Sequence, residues 1–403
     1  MAGREDGVGL TRRVRRSIYK ALGPPTFPLF MVAGGWILRN VGPRMPFIKF
    51  ARSDRFSYHL PPVKSRAYER FYRNIIDRGL GREWGPHAVT IAVNHDCNAR
   101  CVHCSAFRRN GDGTLTTEQW CDLIDQCAGM GITDIIVTGG EPLLRPDLEV
   151  IIRRIVENDC VADLFTNGSL LTEENLEKIR RAGCDTVFVS LDSPFPEEHD
   201  RLRGTPGLYH RALEGIRRAV DMGMAVGIST YMTRESIHRG YHHRFLRLCK
   251  ELGVRELTVF DVVPTGKYLK RDDLLLGDRE KETLRVIHER QWMDLRGPRV
   301  CLMCHVNDPH IMGCFGVKWQ IHVTHNGYVT PCDFTPLHFG NVKEEPLREI
   351  WERMKVHPEY DRKSMTCRMQ DPEFRRKYIH KIPGGAELPF PIHLVDREHR
   401  EAG

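Results

Sequence analysis

Between residues 88 and 263 the chain repeats one unit: a short, almost wholly apolar run, then an amphipathic helical stretch. The runs are AVTIAVN (88–94), DIIVTGG (134–140), VADLFTNG (161–168), DTVFVSLD (185–192), AVGISTYM (225–232) and ELTVFDVV (256–263). Helical patterns fill the gaps at 116–130, 148–158, 172–183, 209–223 and 239–252. Thr116 and Thr172 stand where N-caps belong, and Gln119 is placed to complete a capping box. Strands that are apolar throughout are covered on both faces, and their alternation with helices argues a parallel sheet with right-handed crossovers. Six such units fit either an open doubly wound sheet or a partly closed barrel. Either architecture puts its ligand site at the C-terminal strand ends.

The chain has 403 residues, enough for two or three domains and a sizeable core. Its balance of 41% hydrophobic and 28% charged residues excludes global disorder, a collagen-like repeat and a polytopic membrane protein. The excess of Lys and Arg (60) over Asp and Glu (53) is only +7 and is local. Residues 10–22, LTRRVRRSIYKAL, place Leu10, Val14, Ile18 and Leu22 on one helical face among five basic residues. The following run, PTFPLFMVAGGWIL, is too short and too broken to span a bilayer, which takes roughly 20 apolar residues. Two readings stand: a peripheral contact with an anionic membrane, or a basic helix and strap packed on the main domain. The 13 cysteines are an odd count in a chain too long to need disulfides, so their clusters suggest metal or redox chemistry. Five of them, Cys121, Cys127, Cys160, Cys184 and Cys249, fall singly in helix or strand patterns and read as core.

Chemistry-bearing residues recur at the strand ends. NHDCNARCVHC follows the first strand, with Cys97, Cys101 and Cys104 spaced C-x3-C-x2-C. Three thiolates from one loop can begin a four-cysteine iron–sulfur site, a zinc site completed by His95 or His103, or a cluster with one open iron. TGGEPLL ends the second strand, where Gly139 and Gly140 permit close backbone approach and Glu141 is unlike a packing residue. Thr166-Asn167-Gly168 ends the third, and Ser190-Leu191-Asp192 the fourth; such groups suit a ribose or an amino-acid head group, and equally suit caps and turns.

This ordered set resembles the radical S-adenosylmethionine (radical SAM) superfamily over about residues 85–265. The resemblance implies an α/β fold, a partial (β/α)6 barrel. In it Cys97, Cys101 and Cys104 hold a [4Fe-4S] cluster whose remaining iron is chelated by S-adenosylmethionine. It implies a cofactor pocket formed by Gly139, Gly140, Glu141, Thr166, Asn167, Ser190 and Asp192, with His103 standing where the family often has an aromatic residue. GIST (227–230) and Val263 are weaker adenine or ribose candidates, and Arg234 a carboxylate partner or a surface residue.

Late in the chain, CFGVKWQIHVTHNGYVTPC (314–332) followed by FGNVKEEPLREIW (339–351) resembles the SPASM or twitch extension that binds auxiliary clusters. Asn326-Gly327 reads as a two-residue hairpin turn. By this resemblance Cys314, Cys332 and Cys367 bind one auxiliary [4Fe-4S] cluster, with Cys304 or Cys301 as fourth ligand; zinc on the same thiolates is the alternative. The expected organisation is an N-terminal extension (1–84), a radical SAM core (85–290), a small α+β auxiliary-cluster domain (291–370) and a polar tail (371–403).

The expected activity is reductive cleavage of S-adenosylmethionine and hydrogen abstraction from an unidentified substrate, as an oxidation or a C–C or C–X bond formation. No catalytic side chain is singled out beyond the cluster. Peptide maturation is one alternative, and a non-catalytic iron–sulfur or zinc protein another. The expected partners are a flavodoxin- or ferredoxin-type low-potential donor and, through the N-terminus, an anionic membrane, with no nucleic acid. The expected location is cytoplasmic, with peripheral membrane association.

Overall fold

The computed structural model describes residues 48–49, 54–55, 57–62, 65–80, 82, 85–106, 113–293, 297–303, 307, 313–362, 364 and 366–400. The basic segment 10–22, the apolar run after it and Cys304 lie outside the described residues.

All six expected strands form, in sequence order and parallel: β1 (Ala88–Ala92), β2 (Asp134–Thr138), β3 (Val161–Thr166), β4 (Thr186–Ser190), β5 (Ala225–Met232) and β6 (Glu256–Asp261). The C-terminal region lengthens this sheet at both edges. β7 (Arg299–Leu302) runs parallel to β6, while β8 (Gln320–Val323) runs parallel to β1 and turns into the antiparallel β9 (Val329–Thr330). Among the described residues the sheet thus has nine strands in the order β9-β8-β1-β2-β3-β4-β5-β6-β7, with no pairing between its ends. Thr90, Ile136, Phe165, Ser190, Ser229, Phe260 and Gln320, one from each of seven strands, all face a single cavity. An open doubly wound sheet cannot do that; the sheet curls into a partial barrel.

Helices cover the outer face. α1 (Arg66–Gly79) precedes β1, and α2 (Thr117–Gly129) and α3 (Leu148–Glu157) follow β1 and β2. α4 (Glu173–Arg181) follows β3; α5 (Pro196–Arg203) and α6 (Leu208–Asp221) follow β4; α7 (Arg234–His238) and α8 (Tyr241–Leu252) follow β5; α9 (Asp278–Met293) precedes β7. The capping box at α2 forms as expected: Gln119 N donates to Thr116 Oγ1, and Thr116 N to Gln119 Oε1. Along the same helix Trp120, Leu123, Ile124 and Cys127 bury the inner face, and truncating a leucine so placed costs about 2–5 kcal/mol.

Four details differ from the sequence reading. The expected helix 239–252 begins at Tyr241 as α8; a separate short helix, α7, precedes it, and Gly240, whose φ of 72° favours glycine, divides the two. The expected two-residue turn at Asn326-Gly327 is a three-residue loop closed by Gly327 N donating to Thr324 O, with Gly327 left-handed at φ 95°. The stretch expected as a polar tail packs into the core through Phe374, Tyr378, Ile379, Ile382 and Leu388. Of the five cysteines expected in the core, four are buried and Cys121 is half-buried.

One piece of the N-terminal region closes the barrel floor. Ser57 Oγ and Tyr58 N donate to the two oxygens of Glu256, at 3.1 and 3.0 Å, and His59 stacks on Phe188 with ring centroids 4.9 Å apart. Among the described residues no helix is long and apolar enough to cross a membrane.

Candidate functional site

The cysteine loop leaves β1 at Val93, which extends the ladder by donating to Thr138 O. It then crosses the end of β2 closely. Gly140 N donates to Asn94 O at 3.0 Å, Glu141 N to Asp96 O at 2.7 Å, and Asn94 Nδ2 to Glu141 O at 2.8 Å. A Cβ on Gly139 would lie 2.3 Å from Asn94 Oδ1, and one on Gly140 would lie 2.2 Å from Asp96 O. The paired glycines therefore admit the cysteine loop as well as facing the cavity. On the far side, Gly266 abuts Cys104 O, and Lys267 Nζ donates to Cys101 O at 2.7 Å.

Held this way, Cys97, Cys101 and Cys104 all line the cavity, whose volume is about 850 Å³. Cys97 is exposed and the other two are half-buried. Burial pushes the Cys97 thiol up to about 11 and raises Cys101, where Arg203 opposes the shift. Metal binding reverses that preference, because a coordinated thiol is deprotonated outright.

His103, Gly139, Gly140, Thr166, Asn167, Ser190 and Asp192 line the same cavity, as do Ser229, Thr230 and Val263. Glu141 does not. It is fully buried and accepts from Thr166 Oγ1 at 2.7 Å, Asn167 N at 2.8 Å and Leu143 N at 3.2 Å, so it ties the ends of β2 and β3 together. Burial raises its carboxyl despite those donors. Arg234 is also elsewhere: its guanidinium donates to Leu275 O, off the cavity wall.

Arg203 was not foreseen. The last residue of α5, it grips Asp192 with Nε 2.5 Å from Oδ2 and Nη2 2.7 Å from Oδ1, and its Nη1 lies 3.7 Å from Cys101 Sγ. Its sequence signal was faint: an arginine before the closing glycine of a helix pattern usually reads as a surface residue. Burial would raise Asp192, but Arg203 outweighs it and holds the carboxylate ionised. His103 Nε2 lies 3.5 Å from Asp192 Oδ2, and its ring packs on Tyr231 at 4.2 Å. Burial depresses His103 to about 4, so it is a neutral imidazole at physiological pH.

A second, smaller cavity is lined by Cys314, Cys332 and Cys367 together with Met303 and Asn307. It shares Phe260, Phe315 and Phe334 with the wall of the first. Burial pushes Cys332 up to about 12, and burial together with the neighbouring Cys314 and Cys332 raises Cys367 well above the ordinary thiol range. Cys301 sits in β7 opposite Thr258 and does not line this cavity; Cys304 lies outside the described residues. Among the described residues no three His, Cys, Asp or Glu side chains converge closely enough to hold one metal ion. Neither trio is thus a preformed zinc tetrahedron, whose Zn–S bonds are about 2.3 Å. Thiolates set around a cavity suit a four-iron cluster, which spans a wider gap.

The sequence profile of the radical SAM superfamily matches residues 91–246, and that of the SPASM iron-sulfur cluster-binding domain matches residues 314–374. An AdoMet-dependent heme synthase of Methanosarcina barkeri is 32% identical over 297 residues, covering 67% of this chain and 83% of the relative. A protein of the same name from Oleidesulfovibrio alaskensis is 28% identical over 74% of this chain and 81% of its own. A PqqA peptide cyclase of Gluconobacter oxydans is 28% identical over 66% of this chain and 76% of its own. Streptococcus suis SuiB, solved with S-adenosylmethionine bound, shares the fold with a TM-score of 0.56 at 16% identity, covering 83% of this chain and 78% of that one. Two cysteine trios, each facing a cavity at the C-terminal side of a parallel barrel, thus have matching profiles over the same residues. The chain belongs to the radical SAM superfamily: it is an enzyme with a [4Fe-4S] cluster, S-adenosylmethionine as cofactor and a SPASM iron–sulfur domain.

Proposed function

We propose that Cys97, Cys101 and Cys104 hold the reactive cluster and that this enzyme acts on a large, mostly apolar molecule bearing carboxylates, of the tetrapyrrole class. The observation that carries the site assignment is the convergence of those sulfurs with the ends of β2 to β5 on one cavity. When bound, the cluster and S-adenosylmethionine supply a 5′-deoxyadenosyl radical that removes a hydrogen atom from the substrate. The protein's part is placement. Gly139, Gly140, Thr166, Asn167, Ser190, Asp192 and His103 form the cofactor wall, and Glu141 braces it from behind. Arg203 fixes Asp192 beside the cysteine loop. Cys314, Cys332 and Cys367 hold the auxiliary cluster, with Cys304 as fourth ligand. The core spans 85–290 and the auxiliary domain 291–370, while the expected tail, 371–403, packs on them through Phe374, Tyr378, Ile379, Ile382 and Leu388.

Two features support the substrate class. Phe165, Phe260, Phe315, Phe334 and Tyr268 give the cavity an aromatic wall, and Lys267 adds a cation. Relatives named as heme synthases match over more than four fifths of their length. A cavity of about 850 Å³ falls within the ~300–1,000 Å³ typical of ligand pockets, so with the cofactor in place only the reacting portion of a large substrate enters. The peptide cyclase relatives support a second reading, in which that portion is a peptide side chain. A low-potential flavodoxin- or ferredoxin-type protein delivers the electron. Residues 10–22 bring the enzyme to an anionic membrane from the cytoplasmic side.

The test adds an iron porphyrin with propionate side chains, or a tyrosine- and glutamate-containing peptide, to reconstituted enzyme under anaerobic reduction. The porphyrin is expected to raise the rate of 5′-deoxyadenosine formation and to be consumed with it. Stimulation by the peptide alone would transfer the assignment to the second reading.

A further inference from the structure

The guanidinium of Arg203 divides its nitrogens between two partners. Nε and Nη2 meet the two oxygens of Asp192, at 2.5 and 2.7 Å, and Nη1 is left to lie 3.7 Å from Cys101 Sγ. Only the planar fork of arginine permits that division; a lysine has a single terminal nitrogen. The backbone holds the arrangement from both sides. Arg100 N donates to Arg203 O at 2.8 Å and Val102 N to Leu202 O at 2.9 Å, so the residues flanking Cys101 are laced to the end of α5. Gly204 closes that helix at φ 62°, and a Cβ there would lie 2.8 Å from Arg100 O, so the approach is close. On the other side, Asp192 N donates to His199 Nδ1 at 3.2 Å. The ion pair is dry: the Arg203 side chain is 12% exposed and that of Asp192 1%. Lys267 is the other cation at this loop; it is exposed, and its Nζ donates to the Cys101 carbonyl.

We propose that Arg203 sets the reduction potential of the reactive cluster, raising it through an N–H···S hydrogen bond to Cys101 and a buried positive charge that Asp192 holds and partly offsets. The inference rests on the assignment of that cluster to Cys97, Cys101 and Cys104. Reduction adds one electron, and so one negative charge, to the cluster; no bond or proton moves. A donor aimed at a ligand sulfur and a cation beside it both favour the more negative state. Their effect is large where water is excluded, whereas an exposed charge such as Lys267 is screened by solvent and salt. Arg203 is thus a positioning residue that acts on the cluster through Cys101.

The experiment compares reconstituted wild type, Arg203→Gln, Arg203→Lys and Asp192→Asn in anaerobic redox titrations without S-adenosylmethionine, followed by electron paramagnetic resonance. The reactive cluster is the signal that changes shape when S-adenosylmethionine is added to a parallel sample, and the auxiliary cluster is the internal reference. At a fixed solution potential the reduced-to-oxidised ratio of the reactive cluster is expected to fall about tenfold in Arg203→Gln, a shift of about 59 mV for a one-electron couple. Arg203→Lys, which keeps the charge and loses the fork, is expected to fall between Arg203→Gln and wild type. Asp192→Asn is expected to shift the ratio the other way, because the cation loses its counter-charge. Opposite shifts, with the auxiliary cluster unmoved, are a signature that a merely structural role of the pair does not produce. Unshifted potentials, or shifts of one sign in Arg203→Gln and Asp192→Asn, would overturn the proposal. Should Arg203→Gln fail to assemble the cluster, Asp192→Asn, which keeps the arginine, decides by the same rule: a raised potential supports the proposal and an unchanged or lowered one overturns it. A wild type in which no signal responds to S-adenosylmethionine would instead overturn the cluster assignment beneath it.

Discussion

Glu256 carries a titration that the rest of the barrel feels. It is fully buried on the barrel floor beneath Ser57 and Tyr58, and burial pushes its carboxyl up to about 7 against an ordinary 4.5. Below about pH 4.5 both folded and unfolded chains are protonated there, so the contribution is complete. From 4.5 to about 7 the unfolded chain ionises while the folded one holds its proton, and stability falls. At about 1.4 kcal/mol per pH unit, the loss over that window is on the order of 3 kcal/mol. Glu256→Gln is expected to flatten the stability profile between pH 5 and 7 relative to wild type, as read by thermal midpoints. Parallel profiles for the two proteins would remove Glu256 as the cause. Residue-level features of this kind were the least legible in sequence. Glu256 reads as a strand-edge acid, Arg203 as a helix-end base and His59 as a loop residue. Each gains its role from a contact with a partner remote in the chain or across a turn, which local pattern does not carry.

The elements themselves were largely written in the sequence, because their signals are local. The apolar runs and the helical periodicity mark β1 to β6 and α2, α3, α4, α6 and α8 with only small shifts at the ends, while α5 and α7 went unread. What periodicity missed were pairings: QIHV reads as one arm of a hairpin, and its parallel seam with β1 is visible only in the fold. GGEP shows the same division. The motif was recognisable, yet its first task is mechanical, since its glycines let the cysteine loop cross β2 and its glutamate clasps β3. Gly140→Ala would force a methyl group to 2.2 Å from a backbone oxygen of Asp96, which must then move and take Cys97 with it. Iron content after reconstitution is expected to fall by about half in this variant, to the auxiliary cluster alone, while Cys367→Ser loses the other half. A Gly140→Ala protein with full iron and unshifted cluster spectra would contradict that reading of the motif.

At the scale of the molecule, the two cysteine trios become one system. The cavities they face share Phe260, Phe315 and Phe334, and both lie where β6 and the C-terminal region meet. That adjacency has no trace in spacing, because more than 200 residues separate Cys104 from Cys314. The late segment that reads as a polar tail is drawn in for the same reason: Arg375, fully buried, donates to Pro264 O, Met369 O and Leu269 O and so staples the end of the chain to the loop after β6. On the proposed assignment, the barrel, its glycine-seated cysteine loop and the packed C-terminus all serve one end: the sulfurs of Cys97, Cys101 and Cys104 would present a reactive cluster to S-adenosylmethionine. The measurement that tests this most directly is 5′-deoxyadenosine formation under anaerobic reduction, in wild type, Cys101→Ala and Cys332→Ser. Product is expected from wild type and from Cys332→Ser, and none from Cys101→Ala. Product from Cys101→Ala at the wild-type rate would contradict the cluster assignment.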